Sequence, residues 1–139
     1  MKKTTVEDCY IISIPKIEDT RGNLSVIEKD TIPFKIKRVY YLYDLPSGVE
    51  RGGHAHIEQS EVLVALSGSF DVVINDGVQQ KIVTLNRPNQ GLVITTGIWR
   101  ELRNFSSGCV CLVVASDVFS EADYIREYTD FKSFKNRIS

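Results

Sequence analysis

Short runs of β-branched and aromatic residues recur along most of the chain, and turn-forming residues separate them. This pattern is typical of strands, because such residues pack well on a pleated, half-buried surface. Gly68 predicts a bend between two strands, and Asn75, Asp76 and Gly77 predict a hairpin turn. No stretch of helical length separates the strands, which favours an antiparallel sandwich or barrel over a parallel sheet. The predicted strands lie at 10–14, 23–28, 36–45, 61–74 (two strands), 79–86, 90–102 and 109–117.

The strand pattern stops near the carboxyl end of the sequence. Residues Ser120 to Asp123 resemble a helix capping box, with Asp123 in the place of the usual Glu or Gln. The tail at 122–138 is predicted to form one or two short helices. Internal repeats, linkers and low-complexity segments are absent from the sequence. The sequence therefore predicts a single domain over residues 1–139.

The composition is that of an ordinary soluble domain, and it narrows the range of partners. The chain has 139 residues, of which 42% are hydrophobic and 25% charged, and its net charge is −1. This balance gives no reason to expect nucleic acid or an acidic membrane surface as a partner, so an anionic ligand must meet a local arginine cluster. Residues 1–15 contain no sustained apolar segment, and we expect neither a signal peptide nor a membrane span.

The three cysteines, Cys9, Cys109 and Cys111, cannot all pair within the chain. Cys109 and Cys111 share one face of an apolar strand, where free buried thiols are common. Their C-x-C spacing without a second cysteine pair does not favour a metal site. A reducing, cytoplasmic compartment is the simplest interpretation.

The most distinctive polar pattern is the pair His54 and His56, which glycines bracket. Alternate side chains of a strand share a face, so the two imidazoles are expected to point the same way and Ala55 the opposite way. Imidazole changes charge near neutral pH, which suits proton transfer, and it is also the commonest metal ligand. The pair therefore predicts a functional site and leaves its chemistry open.

A second alternation occurs in the strand at 36–45. Arg38 and Tyr40 share one face, and Val39 and Tyr41 share the other. If the first face points into a barrel, Arg38 and Tyr40 line a wet cavity together with the histidines. In the alternative, Arg38 faces solvent and Tyr40 packs on its neighbours. The strand alone does not separate these two arrangements.

Five residues are spaced as in the first sequence motif of the cupins, and they resemble it at every position. They are Gly48, His54, His56, Glu61 and Gly68. The second cupin motif is half present. Gly91 opens it, but Arg100 stands where its last metal-binding histidine would lie.

Six segments extend this resemblance over nearly the whole sequence: RGNLSVIE, IPFKIKRVYYLYD, RGGHAH, GLVITTGIWREL, NFSSGCVCLVVAS and DYIREY. In this order they resemble the dTDP-4-keto-6-deoxyhexose 3,4-ketoisomerases, which are cupin enzymes related to the WxcM-like proteins. The resemblance implies an all-β fold, a small jelly-roll barrel with a short helical carboxyl-terminal tail, and a homodimer with exchanged strands. It also implies that a ketone moves from C4 to C3 of a dTDP-linked sugar without a cofactor. The product would feed an aminotransferase in surface-polysaccharide synthesis.

The resemblance assigns the chemistry to His54, His56 and Tyr40. Ketone migration needs a base at C3, proton transfer between the two oxygens of an enediol, and a proton at C4, and a histidine pair can supply these steps. We expect His56 to be the carbon base and His54 to relay protons between the oxygens. Tyr40 would donate to or orient the sugar oxygens as negative charge develops.

Substrate binding is predicted for a further set of residues in the matched segments. Arginine forks are natural partners of a pyrophosphate. Trp99 either stacks on a flat ring of the substrate or fills the end of the barrel. The predicted substrate-binding residues are Arg21, Arg38, Arg51, Trp99, Arg100 and Glu61.

Glu61 leaves two arrangements open, because relatives commonly carry Gln at its position. His54, His56 and Glu61 could form the two-histidine, one-carboxylate set of non-haem iron sites. Alternatively, Glu61 pairs with Arg100, whose fixed positive charge would repel a metal. We expect the arrangement without metal. A metal-dependent cupin enzyme and a non-catalytic nucleotide-sugar-binding cupin remain the alternatives, and the C4 configuration of the product stays open.

Overall fold

The structure, a computed structural model, describes residues 2–138, so positions 1 and 139 of the predicted domain lie outside the described residues. Single 3₁₀ turns lie at Val6–Asp8, Lys29–Thr31 and Glu121–Asp123, and one α-helix, α1, covers Tyr128–Arg137. The strands are β1 (Tyr10–Ser13), β2 (Lys16–Asp19), β3 (Gly22–Ser25), β4 (Arg38–Leu42), β5 (Arg51–His56), β6 (Glu61–Ser67), β7 (Phe70–Asn75), β8 (Gln80–Leu85), β9 (Gln90–Ile94), β10 (Trp99–Arg103), β11 (Val110–Ala115) and β12 (Tyr124–Ile125).

The strands form two five-stranded antiparallel sheets and a separate hairpin. The first sheet has the order β1-β9-β6-β11-β4, the second has the order β12-β5-β10-β7-β8, and β2 pairs with β3. Apolar side chains from both sheets meet in one core, among them Leu63 of the first sheet and Val72 of the second. The all-β jelly-roll prediction is confirmed. The described strands remain two facing sheets rather than a closed barrel, because each sheet ends in strands that pair on one side only.

Strand β6 is buried on both faces, which explains its uninterrupted apolar sequence. Leu63 and Ala65 point into the core between the sheets, whereas Val62 and Val64 point to the outer face of the first sheet. There they pack with Ile32, which lies in the segment between β3 and β4. A continuous apolar run is the expected sequence for a strand covered on both sides.

The predicted turns at Gly68 and at Asn75–Gly77 are confirmed, and two predicted strands are corrected. Gly68 has a φ of +69°, and a Cβ there would overlap Ser106 Oγ, so glycine is required. The predicted strand at 90–102 is two strands, β9 and β10, because a turn at Gly97 separates them. The predicted strand at 23–28 ends at Ser25 and pairs with β2, which the sequence pattern did not reveal.

The capping-box prediction at Ser120 is wrong, because the Ser120 side chain makes no capping hydrogen bond. Asp123 instead accepts hydrogen bonds from the backbone N–H groups of Glu58 and Gln59, which lie just after β5. The helical tail is confirmed as α1, which packs through Phe131 and Phe134 on the second sheet. Among residues 2–138, no helix combines the length and the apolar character that crossing a membrane would require.

Candidate active site

A cavity of about 270 Å³ lies between β4 of the first sheet and the β12-β5-β10 end of the second. Arg38 and Tyr40 of β4 lie on its wall, so the polar face of that strand points inward. Val39 and Tyr41 of the same strand are exposed on the outer face. The remaining lining residues are Leu42, Arg51, Gly52, His54, Arg100, Leu102, Val113, Tyr124 and Arg126.

The two histidines share the inner face of β5, as the alternation predicted, and both are buried, but only His54 lines the cavity. His54 lies on the cavity wall, and its Nε2 is 3.1 Å from Nε2 of His56, which lies behind it. The two imidazole planes are nearly perpendicular, at 85°. Tyr124 packs against both rings, with centroid distances of 4.8 Å to His54 and 4.4 Å to His56. Only one imidazole therefore faces a ligand directly.

Two polar side chains contact His56: Gln59, which follows β5, and Asp123, which precedes β12. Nδ1 of His56 lies 3.0 Å from Oδ2 of Asp123, and its Nε2 lies 3.4 Å from Nε2 of Gln59. The Gln59 amide also donates to Oε2 of Glu61 at 3.2 Å. Strand β12 pairs Tyr124 with His56, which brings the adjacent Asp123 to the imidazole. Neither Asp123 nor Gln59 was predicted from the sequence.

Beside the histidines, Arg100 forms a buried polar cluster with Glu61 and Tyr40. Nη2 of Arg100 lies 2.8 Å from Oε1 of Glu61 and donates to the Tyr40 hydroxyl at 3.0 Å. That hydroxyl donates to Oε2 of Glu61 at 2.8 Å. Nε of Arg100 is buried and has no hydrogen-bond partner among residues 2–138. The Glu61–Arg100 pair is thus the second of the two arrangements that the sequence left open.

Gly52 makes room for this guanidinium. Its φ is +75°, and a Cβ at this position would come within 2.8 Å of Nη1 of Arg100. Glycine adopts this backbone conformation without strain and allows a close approach. The guanidinium therefore lies directly against the β5 backbone at the cavity.

The surroundings shift the pKa of four side chains at the cavity, His54, His56, Tyr40 and Arg100. Burial lowers the pKa of His54 well below its ordinary range, and the positive charge of Arg100 adds to the effect. Burial also lowers the pKa of His56, although the carboxylate of Glu61 opposes this shift. The pKa of Tyr40 is raised, mainly by burial. Burial opposes the charge of Arg100, but Glu61 and Tyr40 outweigh it and raise the pKa of this guanidinium. The site thus combines two neutral imidazoles with one fixed cation.

Four of the six predicted substrate-binding residues lie at the cavity or directly beneath its wall. Arg38, Arg51 and Arg100 line the cavity. Glu61 lies beneath the wall, where it holds Tyr40 and Arg100.

Two predicted residues do not reach the cavity of their own chain. Trp99 points to the opposite face of β10, where it packs on Phe131 beneath α1. Arg21 lies in the exposed β2–β3 hairpin and pairs with Asp19 at 2.8 Å. Trp99 therefore packs in the apolar cluster beneath α1 rather than at the end of the barrel, and it does not line the cavity.

Two further cavity residues, Tyr124 and Arg126, were missed by the sequence reasoning. The Arg126 guanidinium stacks on the Tyr124 ring at 4.2 Å and forms two hydrogen bonds to Glu121. The hydroxyl of Tyr124 accepts a hydrogen bond from Arg38. Both lie in the segment DYIREY, whose match to the ketoisomerases was the available signal.

The donor set of a metal centre is present, but its carboxylate is already engaged. Ligand atoms of His54, His56 and Glu61 all lie within 4.8 Å of one another. Two imidazoles and a carboxylate suit iron, manganese or zinc. Oε2 of Glu61 accepts hydrogen bonds from Tyr40 and Gln59, whereas Oε1 has no hydrogen-bond partner among residues 2–138 and lies 2.8 Å from Arg100 in an ion pair. A divalent cation would have to displace the Arg100 ion pair, so these residues do not fit a resident metal well.

Comparison with known proteins identifies the family. The family model of FdtA, described as WxcM-like, C-terminal, matches residues 7–136. The chain belongs to the FdtA family. This FdtA-family protein is 45% identical over 130 residues to the TDP-4-oxo-6-deoxy-α-D-glucose 3,4-oxoisomerase of Aneurinibacillus thermoaerophilus, and the match covers 93% of this chain and 94% of that enzyme.

Solved structures of ketoisomerases have the same fold as this FdtA-family protein. A 3,4-ketoisomerase from Helicobacter canadensis superposes with a TM-score of 0.90 at 46% identity, covering 93% of this chain and 98% of that one. A histidine-to-asparagine mutant of the 3,4-ketoisomerase QdtA from Thermoanaerobacterium thermosaccharolyticum, in complex with TDP-4-keto-6-deoxyglucose, superposes with a TM-score of 0.91 at 38% identity. That match covers 93% of this chain and 94% of QdtA.

Proposed function

We propose that this protein converts a dTDP-4-keto-6-deoxyhexose into its 3-keto isomer. The observation that carries the proposal is a cavity in which a neutral imidazole faces a buried, permanently charged guanidinium. Relatives at 45% and 38% identity are 3,4-isomerases of such sugars. The reaction removes a proton from C3, forms an enediol between C3 and C4, moves a proton from O3 to O4 and delivers a proton to C4. It is redox-neutral overall, and its atoms and electrons balance without a co-reactant.

The position of His54 on the cavity wall supports a division of labour opposite to the one expected from the sequence. His54 lines the cavity and is the candidate base at C3, whereas His56 lies behind it and acts through it. A neutral base of this kind typically contributes about 100- to 10,000-fold to the rate. Its lowered pKa keeps the lone pair free at neutral pH.

Arg100 is the candidate group for stabilising the enediolate. Its Nε is a buried donor without a protein partner among residues 2–138, and its side chain lines the cavity. Charge-assisted hydrogen bonds in such a water-poor site stabilise a developing oxyanion. Tyr40 and Glu61 keep the guanidinium in place, because the Tyr40 hydroxyl accepts a hydrogen bond from Nη2 and the Glu61 carboxylate forms an ion pair with it.

The nucleotide is proposed to lie across the cavity mouth. A cavity of about 270 Å³ accommodates a hexose ring but not a whole dTDP-sugar. Arg38, Arg51 and Arg126 line the same cavity, and guanidinium forks pair with phosphate oxygens. We assign the pyrophosphate to these three arginines.

The predicted homodimer has a candidate interface on exposed apolar side chains. Val39, Tyr41 and Tyr43 near β4 are each more than half exposed, as are Ile17 and Leu24 in the β2–β3 hairpin. Burying such side chains against a second copy is favourable. If the hairpin is exchanged, Arg21 can act only on the substrate of the other copy. Light scattering of the purified protein, with Tyr41→Lys as the interface variant, tests this assembly.

Proton NMR of dTDP-4-keto-6-deoxyglucose with chelator-treated protein in heavy water tests the proposed activity. We expect 3-keto signals with deuterium at C4. A parallel reaction in ordinary water keeps the proton at C4, and its coupling to the C5 proton identifies the C4 configuration. Turnover only after iron, manganese or zinc is restored would instead support a metal-dependent enzyme. An unchanged spectrum with and without metal, together with tight binding of the sugar nucleotide, would support a non-catalytic binding protein.

A further inference from the structure

Polar groups behind the cavity wall form a continuous line, which we call the histidine–aspartate line: His54, His56 and Asp123. Nε2 of His54 lies 3.1 Å from Nε2 of His56, and Nδ1 of His56 lies 3.0 Å from Oδ2 of Asp123. Each neutral imidazole has one nitrogen that donates and one that accepts. The direction of the first hydrogen bond therefore determines all the others.

The Asp123 end of the line has only one possible polarity. Its Oδ1 accepts the backbone N–H of Glu58 at 2.6 Å, and its Oδ2 accepts that of Gln59 at 3.2 Å. A carboxylate that receives two backbone N–H groups is an acceptor. The third group that faces it, Nδ1 of His56, must therefore carry the proton.

The neighbours of His56 agree with this polarity at its other nitrogen. The amide of Gln59 lies within 3.2 Å of Oε2 of Glu61 and 3.4 Å of Nε2 of His56. Glu61 is paired with Arg100, so its oxygens are acceptors and the amide must present its NH₂ group to them. Nε2 of His56 then faces two donors, the Gln59 amide and Nε2–H of His54.

The last step of the line reaches the cavity. If Nε2 of His54 donates to His56, the unprotonated nitrogen of His54 is Nδ1. That atom has no hydrogen-bond partner among residues 2–138, and its ring lines the cavity. The line thus leaves a free lone pair on the only histidine that faces a substrate.

We propose that Asp123 is a positioning residue that fixes the tautomers of both histidines, so that His54 presents an unprotonated Nδ1 to the cavity. What that nitrogen does rests on the proposed function: it takes the proton from C3, and the electron pair of the C–H bond enters the enediolate. The imidazolium that forms on His54 keeps its Nε2–H bond to His56. The carboxylate of Asp123 stabilises the positive charge through His56.

Asp123→Asn reverses the polarity of the line with little change in shape. The amide oxygen is expected at the Oδ1 position, because the bond from Glu58 N–H at 2.6 Å is shorter than the bond from Gln59 N–H to Oδ2 at 3.2 Å. The amide nitrogen then takes the Oδ2 position and faces Nδ1 of His56 as a donor. His56 would then carry its proton on Nε2, and His54 would have to move its own proton to Nδ1. Asp117→Asn is the matched control, because Asp117 also lies between β11 and β12, and its one side-chain hydrogen bond among residues 2–138 comes from Ser116.

The experiment is nitrogen-15 NMR of the resting protein labelled at histidine. The chain has only two histidines, so every imidazole signal belongs to the line. At pH 7.5 we expect His56 to be protonated at Nδ1 and His54 at Nε2, and the Asp117→Asn variant to give the same pattern. Asp123→Asn is expected to shift His56 to the Nε2–H form. A wild-type His56 protonated at Nε2 would overturn the proposal, as would an unchanged pattern in Asp123→Asn.

Turnover supplies the second arm. Asp123→Asn should lower kcat by about 100-fold or more, with KM nearly unchanged, because the base at the cavity would lose its lone pair. A kcat within threefold of wild type would contradict the positioning role. The two failures are distinguishable: wild-type protein that shows the expected tautomers but no isomerisation refutes the proposed function alone.

Discussion

The two faces of the β12-β5-β10 end of the second sheet are equally buried and serve opposite purposes. On the outer face, Ala55 is 0% and Trp99 6% exposed, and both lie in an apolar cluster beneath α1. On the inner face, His54 is 6% and Arg100 2% exposed, and both line the cavity. Ala55 follows His54 and Arg100 follows Trp99 in the sequence, so a single step along a strand exchanges one environment for the other.

Burial therefore does not distinguish a catalytic position from a structural one in this protein; the neighbouring groups do. The outer face packs apolar surface and stabilises the fold. The inner face keeps two neutral imidazoles and an ion pair away from water, which costs free energy unless their hydrogen bonds are satisfied. Substitutions on the outer face should change stability alone, and substitutions on the inner face should change activity first.

The largest expected effect is on turnover, from His54→Asn. Asparagine is close in size but is not a base, so kcat should fall by about 100- to 10,000-fold while the protein stays folded. Isomerisation followed by NMR, together with circular dichroism of the variant, checks both parts. A variant that is folded and retains a tenth of wild-type turnover would show that another group is the base.

Arg100→Met should affect both activity and stability. Removing the guanidinium leaves the Glu61 carboxylate buried without its cation, which should lower the free energy of unfolding by about 3–5 kcal/mol. The double variant Glu61→Gln with Arg100→Met should regain part of this stability but no activity. Urea unfolding of the three proteins measures the effect. Equal stability of the single variant and wild type would contradict a tightly coupled pair.

Trp99→Phe is the corresponding change on the outer face. It removes the indole N–H that donates to Glu101 at 2.9 Å and some packing beneath α1, so the free energy of unfolding should fall by about 1–2 kcal/mol. The kcat/KM of the folded protein should stay within about twofold of wild type, since Trp99 does not line the cavity. A tenfold rise in KM would instead return Trp99 to the substrate-binding set.

The smallest expected effect is a shift in pH dependence. Burial lowers the pKa of both histidines, so they stay neutral in the folded protein below their ordinary pKa of about 6.5. Turnover should therefore persist as pH falls from 7.5 to 6. The unfolded chain binds more protons below about pH 6.5, so the free energy of unfolding should decrease as pH falls through that value. Half-maximal activity at pH 6.5 would indicate an ordinary imidazole.

Local patterns in the sequence predicted the strands, the turns at Gly68 and Asn75–Gly77, and the shared face of His54 and His56. The contact of Asp123 with His56 was not predictable, because 67 residues separate them and a two-residue strand, β12, brings them together. The capping-box resemblance even assigned Asp123 a different partner.

Trp99 and Arg21 show a second limit of the sequence pattern. Alternation establishes that Trp99 and Arg100 point to opposite faces, but not which face holds the cavity. The β2–β3 hairpin that carries Arg21 pairs with neither sheet and is exposed along both strands, so nothing in its local sequence pattern places Arg21 at the cavity. Arg38, Arg51 and Tyr40, which the resemblance to the ketoisomerases indicated, all line the cavity, and their roles there stay predictions.

The central claim, that the histidine on the cavity wall is the carbon base, is tested most directly by proton exchange at C3. The measurement follows the C3 proton signal of dTDP-4-keto-6-deoxyglucose in heavy water with wild type, His54→Asn and His56→Asn. The account predicts that exchange is lost in His54→Asn and is slowed but measurable in His56→Asn. Exchange near the wild-type rate in His54→Asn, with complete loss in His56→Asn, would contradict it.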